Sequence, residues 1–266
     1  MTAFDPSRII TKVPKKQPIT LLYSQHGVGK GAFIASADNP FVIDMEMKFK
    51  TDYSASIYQP EDYEDLLGCL DGLLNQDSLP YGIVALDTLD WMEKAVHSEI
   101  CIKYNVETIN DDHCKTLNFN KGSILAANMF FSNIFTKLAE IRIKHNIPIV
   151  ITAHCLETKK KPADSAEYYA NDIRVDKWLA ACVSDLVDAK LYLRIQKIYD
   201  QNGKMIPTLE REIIPIDIQG VQAKNNLHIL KFVPISELYG WDEYIKAMEY
   251  GEANKPKKET TTTPTT

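Results

Sequence analysis

Residues Leu21–Phe33 read LLYSQHGVGKGAF. An apolar run ends, a short loop carries Gly27, Gly29, Lys30 and Gly31, and small and apolar residues follow. This is the strand, loop and helix layout of the phosphate-binding pattern G-x-x-x-x-G-K-[ST]. Two positions depart from it. Ser24 stands where the first glycine belongs, and Gly31 replaces the Ser or Thr whose hydroxyl would hold magnesium.

Outward from this loop, strand-like apolar runs alternate with helical patterns. That alternation predicts an α/β fold, a mostly parallel sheet flanked by helices. Strands are expected at Ile19–Tyr23, at Phe41–Asp44 after Pro40, at Tyr81–Asp87, and in PIVITAH, which begins at Pro148. The spacing of Leu66, Leu67, Leu70, Leu73 and Leu74 predicts a helix over Glu61–Asn75. A longer helix over Ser123–His145 places Ile124, Ala127, Phe131, Ile134, Leu138 and Ile141 on one stripe. Beyond Asp188, AKLYLRIQKIY alternates, Asn202-Gly203 signals a tight turn, and LEREIIPI returns, predicting an antiparallel hairpin at the sheet edge. A final helix is expected over Ile235–Tyr250.

The 266 residues are enough for one large α/β domain, and 45% hydrophobic with 25% charged residues is ordinary for a soluble globular protein. The domain is placed at 18–250, after an extended basic arm over 1–17 and before a polar tail over 251–266 read as disordered. No segment has the run of about 18–20 apolar residues that a membrane span needs. The start lacks the apolar core of a secretory signal, so a cytoplasmic location is expected. Five scattered cysteines without a C-x-x-C pair argue against zinc or a disulfide framework. A net charge of -6 argues against a surface that coats nucleic acid all over but permits a local basic strip.

In an open parallel sheet, ligands bind at the carboxyl ends of strands. Polar groups stand at four such ends here: the loop, Asp44 with Glu46, Asp87, and His154. The backbone N–H groups of Gly27–Gly31 can wrap phosphate oxygens, so Ser24, Gly27, Val28, Gly29, Lys30 and Gly31 are the expected nucleotide contacts. Lys30 would meet the β- and γ-phosphates, Asp87 would hold magnesium or its water, Glu46 would polarise the attacking water, and His154 would sense the γ-phosphate. Taken singly, each is also an ordinary polar strand end; their joint order points to a nucleotide site.

The order of motifs resembles RecA-like proteins. FVIDMEMKF is similar to the RecA segment whose glutamate is the catalytic base, a position Glu46 takes, and VALDTLDWME resembles the strand that carries the magnesium carboxylate. The likeness is nearest to phage-encoded RecA-like ATP-binding proteins of the single-strand annealing recombination type. It runs through Leu21–Gly31, Ile43–Glu46, Leu86–Trp91, Lys121-Gly122, Thr152–His154 and Ala223–Asn225, across about residues 18 to 230. It implies ATP and Mg2+ as cofactors, single-stranded DNA as partner, a homo-oligomeric ring or filament, a single-strand-binding protein as a further partner, and a bacterial host cell. QAKNN resembles a segment that reaches a neighbouring subunit's nucleotide. Lys224 matches its first lysine, and Asn226 replaces the second. The segment after His154 takes the place of RecA's DNA-contacting loop and offers Lys159, Lys160, Lys161, Tyr168, Tyr169 and Arg174. Cations there would track a strand's backbone while aromatics stack its bases.

Gly31 weakens the site. Glycine in a first helical turn costs about 1 kcal/mol, and a polar contact to a charged group is worth about 1.5–3 kcal/mol. Affinity for magnesium-nucleotide should therefore fall without vanishing, and hydrolysis should be slow or absent. Two other readings stay open: a non-enzymatic scaffold or adaptor on a dead nucleotide fold, and an NTPase loader acting on protein partners.

Overall fold

The structure, a computed structural model, describes residues 15–161, 166–206, 208–218 and 220–255. Most of the expected arm and tail lies outside these residues. The fold is built on a ten-stranded mixed sheet. Six strands run parallel in the order β7 (Ala189–Ile195), β1 (Ile19–Ser24), β5 (Ile149–Lys160), β4 (Ile83–Asp87), β2 (Pro40–Asp44) and β3 (Ser56–Tyr58). Beyond β7, β10 (Arg211–Ile214) and β12 (Val233–Ile235) extend the sheet, and β10 is antiparallel to both neighbours. The short β11 (Lys224–Asn225) also pairs antiparallel with β7. The expected α/β class and the antiparallel edge are both present. Asn202-Gly203 turns between β8 (Ile198–Tyr199) and β9 (Met205–Ile206), with Gly203 at φ 77°, where a side chain would be strained.

Strand alternation divides the core into two layers. Ile19, Leu21 and Tyr23 face one layer with α2 (Tyr63–Asn75), α3 (Leu89–Tyr104) and the helix that follows. Leu22, Leu191, Leu193 and Ile213 face the other, under α1 (Lys30–Ala35) and α7 (Gly240–Ala253). Leu66 and Leu70 of α2 are fully buried, each contributing about 1.5–3 kcal/mol. The helix starts at its cap, Asp62, whose side chain accepts from the Asp65 N–H at 2.8 Å.

The long helix departs from its expected stripe. It runs as α4 (Lys121–Met129), a π-helical segment at Phe130–Phe135, and α5 (Thr136–His145). The wider π turn takes up extra chain and changes the phase of the apolar face. Phe130 is therefore fully buried, while Phe131 and Ile124 are exposed at 47% and 38%. Gly122 of the Lys121-Gly122 pair has a packing role: a Cβ there would lie 1.5 Å from the Ile109 carbonyl oxygen.

Three further differences matter for the site. The last helix begins at Gly240, not Ile235, because Ile235 closes β12 and Ser36 Oγ caps the first turn by accepting from Trp241 N–H at 2.9 Å. Two helices went unread, α3 and α6 (Lys177–Leu186). Among the described residues, the segment after His154 forms a two-stranded ribbon and not a loop. β5 continues to Lys160 and pairs antiparallel with β6 (Tyr168–Ile173), placing Lys159 opposite Tyr169.

Candidate active site

β1 ends at Ser24, and the chain turns through Gly27 at φ 76° and Gly29 at φ 118° before Lys30 opens α1. Both glycines occupy the left-handed half of backbone space, which side chains disfavour. The turn folds Lys30 back under the loop. Lys30 is 8% exposed, and its ammonium donates to Ser24 Oγ at 3.3 Å and forms no ion pair among the described residues. Burial lowers its pKa, while Asp87, Asp90 and Glu46 act in the opposite sense. Ser24 at the first-glycine position thus gives the lysine a hydroxyl to rest on. Val28 packs into the core beneath the loop.

A cleft of about 270 Å³ opens over this loop. Glu46, Asp87 and His154 line it, and so do Lys48 and Arg211. Strands β2 and β4 end side by side, with Asp44 opposite Asp87 in register, and the neighbouring β5 runs past them through His154, which brings the expected catalytic groups to one edge. Asp44 is fully buried and structural: it accepts from Phe49 N–H at 3.0 Å and from Gln59 Nε2 at 2.9 Å, folding the following turn toward the loop. That turn exposes Glu46 to the cleft, where Lys48 Nζ pairs with its Oε1 at 2.9 Å. His154 Nε2 is 3.8 Å from Glu46 Oε2.

On its other side His154 is held firmly. Its Nδ1 lies 3.0 Å from Asp90 Oδ2, its backbone N–H donates to Asp90 Oδ1 at 3.0 Å, and its ring stacks on His26 with centroids 3.7 Å apart. Burial alone would raise the Asp90 pKa, yet the hydrogen bonds from His154 and Arg174 outweigh it and hold the carboxyl well below its ordinary range. Arg174 Nη1 is 3.3 Å from His26 Nε2, so the arginine donates and the imidazole accepts. Burial lowers the His26 pKa, and His154, Arg174 and Lys30 lower it further.

Asp87 accepts a hydrogen bond from the Thr152 hydroxyl, and burial raises its pKa. The Asp87–Thr88 peptide is cis. Thr88 Oγ1 is buried without a hydrogen-bond partner among the described residues, and Thr88 lines the same cleft. No group of three His, Cys, Asp or Glu among the described residues could hold a metal alone. An orphaned hydroxyl beside a carboxylate instead fits magnesium arriving with waters and phosphate oxygens, the mode this ion favours. Gly31 lies under Phe49 and Tyr53, with a hypothetical Cβ at 3.6 and 3.4 Å from their rings.

The remaining sequence-derived residues lie apart from the cleft. Lys224 Nζ donates to the Ser184 and Asp185 carbonyls, each at 2.9 Å, and so caps the carboxyl end of α6 within its own chain. Lys159 and Lys161 both pair with Glu167, the latter at 2.6 Å. Tyr168 is half-buried on β6, Tyr169 is 60% exposed, and the Lys160 side chain lies outside the described residues. Arg174 follows β6 and turns inward to Asp90 rather than outward with the ribbon lysines.

Sequence reading missed His26, Asp90 and Arg211. Asp90 and Glu93 had a signal: they follow Asp87 at intervals of three, which puts them on the inner face of a helix that starts there. Arg211 had none, because only β10's place in the sheet brings it to the loop.

Among the described residues, no helix is long and apolar enough to cross a membrane. Comparison with curated protein sequences finds no match. Among solved structures, the chain is similar to the crystal structure of the RadB recombinase, with a TM-score of 0.44, 13% identity, and 85% of this chain and 90% of that one covered. A family model described as the AAA domain matches residues 16–227, most of the chain and every residue lining the cleft except Glu237. The chain belongs to the AAA domain family.

Proposed function

We propose that this protein binds ATP in the cleft over Gly27–Gly31 and hydrolyses it slowly. The observation that carries the reading is Lys30: a buried lysine lining the cleft, whose ammonium bonds one hydroxyl and pairs with no carboxylate within 4 Å among the described residues. A charge so placed is costly unless an anion completes it. The loop's backbone and Lys30 would hold the phosphates, Glu46 would take a proton from the attacking water, and His154 would hold its ring beside that carboxylate. Asp87 and Thr88 would hold magnesium through water, and the ion when bound would neutralise phosphate charge. Gly31 withholds a direct hydroxyl ligand, which favours slow turnover.

Single-stranded DNA is the proposed partner, in phage-type recombination or replication inside a bacterial cell. The β5–β6 ribbon supports this with its lysines and the exposed Tyr169, and it joins the cleft through Arg174 and Asp90. Self-assembly into a ring or filament and contact with a single-strand-binding protein belong to the same proposal. The test is titration with labelled ATP and measurement of turnover. Lys30→Ala should lose binding, and Glu46→Gln should bind ATP yet lose turnover. Wild-type protein that binds no ATP, with or without magnesium, would leave a scaffold on this fold as the surviving reading.

A further inference from the structure

β10 brings a second cation onto the phosphate loop. Its side chains alternate across the sheet: Ile213 joins the layer beneath α1, while Ile214 faces the opposite layer. Glu212 shares the face of Ile214 and pairs with Arg194 of β7 at 2.7 Å. Arg211 therefore shares the face of Ile213, the side on which the loop turns into α1. It reaches the loop itself: a Cβ built on Gly29 would meet Arg211 Cζ and Nε, both at 3.1 Å. The guanidinium thus lies against the bare face of Gly29. A Cβ at this position would press on the guanidinium, a crowding separate from the glycine's φ of 118°. Arg211 forms no ion pair among the described residues, although its strand neighbour Glu212 is paired.

We propose that Arg211 is a second phosphate-binding cation of this site, supplied by the same chain, and that it makes nucleoside triphosphate binding less dependent on magnesium. This rests on the nucleotide-binding reading of the cleft. The loop lacks the hydroxyl that would fix magnesium at position 31, so more of the triphosphate's charge must be met by protein cations. A guanidinium suits this role, because it stays charged at every relevant pH and offers paired N–H donors to phosphate oxygens. Lys30 meets the phosphates from beneath the loop, and Arg211 meets them from across it.

The experiment is a fluorescence titration with a labelled ATP analogue, in magnesium and in excess EDTA. The proteins are wild type, Arg211→Gln, Arg211→Lys and Lys30→Ala, with thermal melts showing that each is folded. Wild type should lose only a few-fold in affinity when magnesium is removed. Arg211→Gln should weaken binding roughly tenfold or more in EDTA and less in magnesium, with partial recovery in Arg211→Lys. Equal affinity of Arg211→Gln and wild type in both conditions, with Lys30→Ala unable to bind, would overturn the role of Arg211 and leave the nucleotide site standing. A loss of the same size with and without magnesium would overturn the magnesium-sparing role. Wild type that binds under neither condition would overturn the nucleotide reading, and this inference with it.

Discussion

Arg174 Nη2 lies 2.7 Å from Asp90 Oδ2, and this contact fastens the root of the β5–β6 ribbon to the carboxylate that orients His154. Removing the guanidinium should let the Asp90 pKa rise and loosen the carboxylate that holds the His154 ring. Arg174→Ala should cost about 1 kcal/mol, less than a fully buried charged hydrogen bond because the arginine side chain is 39% exposed. Chemical denaturation measures the stability and steady-state assays the ATP turnover, which should also fall. Both unchanged would make the contact incidental.

Gly31 has room for a small side chain but not a broad one. A Cβ there would sit 3.4 Å from the Tyr53 ring and 3.6 Å from Phe49, and threonine adds a methyl beyond it that serine does not. Gly31→Ser should therefore strengthen magnesium-dependent ATP binding several-fold, and Gly31→Thr should match it only when combined with Tyr53→Ala. Isothermal titration with and without magnesium decides; a serine variant with wild-type affinity would refute the missing-ligand account.

Glu167 ties down two ribbon lysines. Releasing them with Glu167→Gln should tighten binding of a single-stranded oligonucleotide and steepen its salt dependence, as each freed cation adds a phosphate contact. The double variant Lys159→Ala, Lys161→Ala should do the reverse. Anisotropy titrations across a salt series that show no change in either variant would make the ribbon an ordinary solvated surface.

Glu93 supplies a pH signature. Burial pushes its carboxyl up to about 7, while the Asp176 N–H bonded at 2.8 Å lowers it and the charges of Asp176 and Asp90 raise it. Its folded pKa lies above the unfolded one, so the folded state holds the proton more tightly. This stabilisation is fully present below the ordinary carboxylate range and is lost as pH rises through about 7. Wild type should therefore lose about 3 kcal/mol relative to Glu93→Gln between pH 4.5 and pH 7. Urea denaturation of both proteins across that window measures it; parallel curves would contradict the shift.

Lys224 has a structural place before it has any partner. To reach a neighbouring subunit it must give up the Ser184 and Asp185 carbonyls. Lys224→Met should cost about 0.5 kcal/mol in the monomer through the lost helix cap. It should also raise the concentration needed for assembly with ATP and oligonucleotide, followed by light scattering. A monomeric wild type under every such condition would remove the role between subunits.

Much of the frame was legible in the residues. LLYSQHGVGKGAF announced its strand, loop and helix because apolar burial and glycine backbone freedom are local properties, and β1, β2 and β4 were found near their expected bounds. The expected strand ends also gave Lys30, Glu46, Asp87 and His154, which the structure brings to one cleft, although His154 lies within β5 and not at its end. Local pattern failed where polar residues serve an interior. α3 went unread because Asp90 and Glu93 occupy its buried face beside Met92 and Val96, blurring the apolar stripe. Phe130 displaced Phe131 because a π turn changes the phase that regular spacing assumes.

By itself, then, the sequence determined the phosphate loop, the alternating strands and helices, and which strand ends carry charge, since each depends on residues near one another along the chain. Only the tertiary structure decided what those charges face. It set Arg211 on Gly29 across 182 residues, turned Arg174 inward to Asp90 and gave Lys224 to the end of α6. Strand order and side-chain parity fix such contacts, and both arise from packing between distant segments, where no local spacing records them.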